Sequence, residues 1–298
     1  MSERDLVRGI LAERGWCDRI KRAEELSGGC IHRVQRLTLA DDAQVVVKLT
    51  GASQRGLFEE EAASLRALAE TRTVRVPEVF AVDSDERYAA IVMESLERAR
   101  ATDDAWARFG ESLAAMHRAP AGSRYGFGMD NHLGTTPQPN DWCDDWITFN
   151  RQHRIGHQLR RAREGGGLSN AEAKRVERLI DRLDDFLPRT PKPAILHGDL
   201  WSGNALPFKS SEGQSEIAVI DPATSMGDGW ADIAMMKLFG GFSQLVYERY
   251  AAKITDHDRV DQRLAVYQLY HVLNHVNLFG RGYTGQAMVL LDSLGIGQ

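Results

Sequence analysis

Asp199, Asn204 and Asp221 have the types and spacing best suited to chemistry in this 298-residue chain. The first two belong to the run His197-Gly198-Asp199-Leu200-Trp201-Ser202-Gly203-Asn204, and the second acid follows an apolar stretch. Phosphoryl transfer from ATP needs one carboxylate to orient a hydroxyl nucleophile and oxygen ligands to hold Mg²⁺. Asp199 is the candidate base. Asn204 and Asp221 are the candidate metal ligands, one offering a neutral oxygen and the other a charged one, as a hard cation requires. The order D-x4-N, then D after a strand, matches the kinase catalytic loop and the metal-binding acid that follows it. His197 is expected to pack under the loop, and Asp232 to accept hydrogen bonds from its amides. Turn capping is the usual role of an isolated Asp. It does not explain four residue types agreeing in order between two apolar strands.

Lys48 at the end of a strand and Glu61 on the following helix form a second constellation. Such a lysine would hold phosphate oxygens of ATP, and the glutamate would fix the lysine. Glu59 and Glu60 compete for that role. Helix phase favours Glu61, three residues after Phe58 and four before Leu65, on the apolar side. Gly28 and Gly29, at a hairpin mouth ahead of the Lys48 strand, let backbone N–H groups approach phosphate without interference from a Cβ. An ordinary turn is the rival reading. Cys30 beside them raises the idea of an oxidisable thiol and a redox switch. Met93, Glu94, Ser95 and Leu96 end the last strand of the first lobe, where adenine would meet backbone groups of the linker.

These groups need elements to position them. Residues 4–25 carry apolar positions at helical spacing and suggest one or two opening helices. Val34–Leu39 and Gln44–Leu49 suggest a hairpin around Asp41-Asp42, and Phe58–Glu70 an amphipathic helix. Val76–Val82 and Ala89–Met93 suggest two further strands. Trp106–His117, 145–164 and 169–187 suggest helices, with residues 121–142 a long ordered loop of the kind that is usually functional. Ala194–Leu196 and Ile217–Ile220 suggest short strands flanking the Asp199 loop, and the chain from Ala231 onward reads as mainly helical.

Composition narrows the classes. A hydrophobic fraction of 43% is ordinary for a globular protein. The net charge is −5 with no Lys/Arg block, which argues against a nucleic-acid partner. No window approaches the length of a membrane span, and the N-terminus has no signal-type apolar region. Three dispersed cysteines, Cys17, Cys30 and Cys143, fit a reducing compartment, so a cytoplasmic protein is expected. A monomer is expected, with a redox-linked dimer through Cys30 as the alternative assembly.

With these residues in view, the chain closely resembles the fructosamine kinase (ketosamine 3-kinase) family. That family belongs to the protein-kinase-like group with aminoglycoside phosphotransferases and choline kinases. The resemblance runs from Ser27 to about Gln286. It rests on Asp130-Asn131-x-x-Gly134-x-Thr136-Pro137-Gln138, Trp142, Asp145-Trp146, the 196–204 run, Leu238-Phe239-Gly240-Gly241-Phe242, and Tyr270-His271-x-Leu273-Asn274-His275-x-Asn277-Leu278-Phe279-Gly280. It implies an α+β, two-lobed fold: a small antiparallel-sheet lobe over 1–94 and a mainly helical catalytic lobe over 95–298. It also implies ATP- and Mg²⁺-dependent phosphorylation of the 3-hydroxyl of a ketosamine on lysine or another amine, an adduct that then falls apart in deglycation. Asp199, Asn204, Asp221, Lys48 and Glu61 match the family's base, metal ligands, phosphate lysine and its partner.

Trp201 matches a tryptophan beside the base and offers a flat face for a sugar. Asn131 and Gln138, with Thr136 and Asn140, are candidates to hydrogen-bond sugar hydroxyls, and Trp142 and Trp146 to stack. An ordered loop holding itself together is the alternative for each of these. His271, Asn274 and His275 share a helix face and read as satisfied core groups rather than ligands. One departure concerns Thr224–Trp230, where the family usually has tyrosines and then Arg-Glu before Ala231-Asp232. It leaves metal binding intact and puts the acceptor in question. The alternatives are a kinase for another small alcohol or amino sugar, or a redox-gated nucleotide binder without turnover.

Overall fold

Helix α1 (Glu3–Glu13) begins at Ser2, whose side chain accepts from the Asp5 N–H while Asp5 accepts from the Ser2 N–H. This reciprocal cap satisfies two orphan donors of the first turn. The structure is a computed structural model, and it describes residues 2–26 and 32–297. The glycine pair Gly28-Gly29 and Cys30 therefore lie outside the described residues. Strands β1 (Ile20–Glu25), β2 (Arg33–Leu39), β3 (Gln44–Gly51), β4 (Val79–Ser84) and β5 (Tyr88–Glu94) form one sheet in the order β1-β2-β3-β5-β4. All neighbours in it are antiparallel.

Residues 20–25 depart from the helical expectation. Helix α1 stops before Gly15, at φ 70°, and β1 pairs with β2 from Glu25↔Gln35 to Ile20↔Leu39. β1 is a charged edge strand with little apolar alternation, so only its partner reveals it.

The sheet's period of two sorts its side chains between two helices. Val45, Val47, Leu49, Ala90 and Val92 face α1 and bury Leu6, Val7, Ile10 and Leu11. The alternate residues Ala89, Ile91 and Met93 face α2 (Arg55–Glu70), which contributes Phe58, Ala62, Leu65 and Leu68. Lys48 shares that second face of β3. Strand alternation thus delivers its ammonium to the side where α2 carries Glu61.

The rest of the chain is mainly helical. Helix α3 (Asp103–Arg118) starts at a Thr102 cap. The expected long loop contains a small hairpin, β6 (Asn131–Leu133) with β7 (Thr136–Gln138). The helix expected over 145–164 is interrupted. Between α4 (Trp146–Phe149) and α5 (Ile155–Glu164), Asn150–Arg154 form a π-helical turn. A Cβ at Gly156 would sit 1.9 Å from the Arg151 carbonyl oxygen, so the widened turn requires glycine there. The helix expected over 169–187 likewise divides into α6 (Asn170–Asp181) and α7 (Leu183–Phe186).

Strand β8 (Ala194–Leu196) leads into the Asp199 loop. β9 (Ala205–Lys209) and β10 (Ser215–Val219) make the hairpin that carries the chain to Asp221, and β11 (Ser225–Gly227) returns to pair with β8. Helices α8 (Trp230–Phe239), α9 (Gln244–Ala251), α10 (Val260–Phe279) and α11 (Thr284–Ser293) complete the fold. The buried face of α10, with Val266, Leu269, Val272, Leu273 and Val276, forms part of the main core. Among the described residues no helix is long and apolar enough to cross a membrane.

Candidate active site

Asp232 on α8 fixes the loop that follows β8. Its carboxylate accepts from the His197 N–H at 2.7 Å, from the Gly198 N–H at 2.9 Å, and from His117 Nε2 on α3 at 3.1 Å. Burial alone would raise the Asp232 pKa. The His117 bond and charge and the Gly198 amide outweigh it and hold the group below its ordinary value. His197 is wholly buried. Its Nδ1 accepts from the Asp199 N–H and its Nε2 donates to the Ile220 carbonyl, which defines a neutral ring with the proton on Nε2. Burial pushes its pKa down, consistent with that state. One imidazole thus ties the Asp199 loop to the strand end that precedes Asp221.

Gly198 has φ 83°, and a Cβ there would stand 2.0 Å from the Ala223 carbonyl oxygen. Gly198→Ala is expected to lower stability by about 2 kcal/mol or more and to abolish turnover, read by thermal melting and ADP release.

Asn204 Nδ2 donates to the Asp199 carbonyl at 2.9 Å and to Asp199 Oδ2 at 3.3 Å. Its amide oxygen has no hydrogen-bond partner among the described residues. Asp221 adopts left-handed backbone at φ 55°. An Asp tolerates this better than most residues, but the conformation still marks a position held for function. Lys48 Nζ donates to Glu61 Oε1 at 2.6 Å and also reaches Asp221 Oδ1. Burial works against the ammonium, yet the two flanking carboxylates win and hold its pKa above the ordinary lysine value. Glu59 instead pairs with Arg55, and Glu60 with His132 at 2.8 Å. Burial, and then the nearby charge of Asp221, push the Asp199 pKa up to about 7.

These groups open on one cavity of about 400 Å³. Lys48, Glu60, Glu61 and His32 line its upper side, and Asp199, Asn204, Asp221 and Trp201 its floor. Asn131 lines it too, although its amide is spent on the Thr224 carbonyl and on Gln138 and Asn140.

Two expectations are corrected. Gln138 does not line the cavity. It is buried between Asn131, the Ala223 carbonyl and the Tyr270 hydroxyl, and so holds the loop together. Trp142 does not line it either: it is 41% exposed and lies under the Arg124 guanidinium. Trp142→Ala is expected to leave kcat/KM within about twofold, checked by steady-state kinetics.

Met93, Glu94, Ser95 and Leu96 also lie outside the cavity lining. Glu94 is engaged by Arg75 at 2.6 Å, and the Ser95 hydroxyl accepts from Arg36. His271, Asn274 and His275, which the sequence suggests as core groups, line the cavity, and so do Phe239 and Phe279, whose place there the sequence does not suggest. The signal was present in the repeated Leu-Phe-Gly, a large aromatic residue placed immediately before a helix stop.

The family model described as Fructosamine kinase matches residues 6–296. The chain belongs to the fructosamine kinase family. A probable ketoamine kinase of Synechocystis is 42% identical over 92% of this chain and 90% of its own length. A rice protein named as a chloroplastic protein-ribulosamine 3-kinase is 36% identical over 97% of this chain and 83% of its own. Among solved structures, a Haemophilus somnus protein described as a candidate fructosamine-3-kinase superposes with a TM-score of 0.86. It is 29% identical and covers 97% of each chain.

Set against other fructosamine kinases, the departure at Thr224–Trp230 has a structural account. Pro222 and Ala223 line the cavity, but residues 224–230 do not. Ser225 accepts from the buried Arg154. Asp228 is gripped by Arg263 at 2.7 Å and by the Tyr267 hydroxyl at 2.5 Å. The segment packs against the helical part of the fold and lies outside the cavity lining.

Proposed function

We propose that this protein transfers the γ-phosphoryl group of ATP to the 3-hydroxyl of a ketosamine, in the cleft between a small lobe ending near residue 94 and the helical lobe after it. The observation that carries this reading is the convergence of Lys48, Glu61, Asp199, Asn204 and Asp221 on one cavity. The donor set fits a hard divalent cation. Asn204 presents its free amide oxygen and Asp221 its second carboxylate oxygen. Among the described residues no group of three or more His, Cys, Asp or Glu gathers to hold an ion alone. Phosphate oxygens and water would complete the shell, the usual situation for Mg²⁺. When bound, the nucleotide and cation supply the phosphoryl group and neutralise its charge.

The chain's own residues do the rest. Lys48, steadied by Glu61, is placed to hold phosphate oxygens. The Leu96 N–H and C=O, without protein partners among the described residues, are available to adenine. Asp199 orients the acceptor hydroxyl and takes its proton as the new O–P bond forms and the bond to the ADP oxygen breaks. Its raised pKa suits a base working near neutrality. Trp201 stands beside it as the flat face for the sugar. The same reading takes the cytoplasm as the compartment and a monomer as the working form.

The test is ADP release with Mg-ATP and fructosyl-lysine, ribulosyl-lysine, choline or an aminoglycoside, with Asp199→Asn as blank. Selective turnover of a ketosamine is expected. Turnover of choline or the aminoglycoside alone would leave the kinase chemistry standing and overturn the acceptor.

A further inference from the structure

α8 and α10 both end on Leu-Phe-Gly, at Leu238-Phe239-Gly240 and Leu278-Phe279-Gly280. Gly240 at φ 65° and Gly280 at φ 83° terminate the two helices and leave the preceding phenylalanines at the surface, 42% and 64% exposed. His275 lies between them, its ring 4.9 Å from Phe239 and 5.5 Å from Phe279, and Tyr283 backs the group at 5.0 Å from His275. Core packing does not explain this cluster, because α10 already buries Val272, Leu273 and Val276 on its other side. Nor is it remote from the chemistry. Phe239, His275 and Phe279 line the same cavity as Asp199 and Trp201. Gly241 helps bring the α8 end there, since a Cβ on it would meet the Ser202 hydroxyl at 2.5 Å.

The electrostatics of this outer half favour a cation with an apolar body. Aromatic faces attract cations, and the C-terminal ends of two helices carry partial negative charge. Among the described lining residues Lys48 is the only Lys or Arg, and it is already held by Glu61 and Asp221. Resting on the function proposed above, the acceptor is a sugar joined through a secondary amine, protonated near neutrality, to a carbon chain. We infer that Phe239, His275 and Phe279 form a shelf that holds the ammonium and the first carbons of this amine part. The sugar is then read beside Asp199 and Trp201, and these three residues determine which amines are accepted.

The experiment compares kcat/KM for the fructose adducts of methylamine and hexylamine. The wild-type protein is expected to prefer the hexylamine adduct by roughly fivefold or more, from added apolar burial. Phe279→Ala should lower kcat/KM for the hexylamine adduct by roughly fivefold more than for the methylamine adduct. Phe279→Tyr should restore the preference and Phe279→Leu only part of it. Equal use of the two adducts by wild type, or an equal loss on both in Phe279→Ala, overturns the shelf.

A second measurement needs no turnover. Calorimetric binding of hexyltrimethylammonium should weaken at least about fivefold in the Phe239→Ala/Phe279→Ala double variant. Undiminished binding there overturns the shelf. Absence of ADP release from both adducts, with that weakening intact, sinks the ketosamine reading and leaves the cation shelf standing.

Discussion

Asp199→Asn is expected to lower kcat by about 1,000-fold while leaving ATP affinity within about threefold, measured by ADP release and by nucleotide titration. The amide keeps the volume of the side chain and the Asn204 contact but cannot take the hydroxyl proton. Lys48, Glu61 and Asp221 remain in place to hold the nucleotide. Retained turnover at a tenth of wild type would remove Asp199 from the role of base.

The same substitution has a second consequence, of opposite sign. The Asp199 pKa is raised in the folded protein to about 7 from an ordinary 3.8, chiefly by burial and then by Asp221. The native state therefore binds this proton more tightly than the unfolded chain. Its contribution to stability is full below pH 3.8 and is lost as pH rises to about 7. At neutral pH without nucleotide or metal, Asp199→Asn should thus stabilise the protein. Asp199 is only half-buried and is partly screened, so the gain is about 1–2 kcal/mol. The melting temperature should rise in that variant, and the gain should shrink when Mg-ATP is added. A fall in melting temperature would mean that the carboxylate is better solvated than its surroundings indicate.

Arg263→Ala is expected to cost about 3–5 kcal/mol, the largest stability effect among the substitutions considered. The Arg263 side chain is 1% exposed and that of Asp228 4%, with Nε and Nη2 gripping both carboxylate oxygens at 2.9 and 2.8 Å. Tyr267 donates to the same carboxylate, and Trp146 donates its indole N–H to Tyr267 at 2.8 Å. Removing the guanidinium leaves the buried Asp228 carboxylate, among the described residues, with just the Tyr267 hydroxyl and the Trp230 N–H as hydrogen-bond partners. A loss of that size is a large fraction of the stability of an ordinary domain. Denaturant melts of Arg263→Ala, Asp228→Asn and the double variant make a coupling cycle. The double variant should be more stable than the sum of the single losses implies, because it leaves no orphaned charge. Strict additivity would show that the two groups do not depend on each other.

The grouping of Asp199, Asn204 and Asp221 was legible in the chain before any packing was known. Asp199 and Asn204 share the loop between β8 and β9, and Asp221 follows directly on the β9–β10 hairpin, so their relation is nearly local. Helix phase singled out Glu61 over Glu59 and Glu60, and the structure pairs it with Lys48. The family resemblance was equally legible, because it rests on runs of residues rather than on geometry.

Other features came from long-range packing. β1 is a strand because β2 offers it hydrogen bonds, a fact its charged sequence does not carry. Gln138 and Trp142 share a polar, aromatic loop with Asn131, and only packing separates a residue buried against Tyr270 from one exposed under Arg124. Asp228 looked like a departure beside the acceptor, yet its partner Arg263 lies 35 residues on, so its inward role could not be read locally. Phe239 and Phe279 are 40 residues apart and meet through His275 only when α8 and α10 pack together. Periodicity and spacing report what one segment does with its own neighbours. Which faces meet, and which side chains are left open to a ligand, follow from long-range burial that a single segment does not encode.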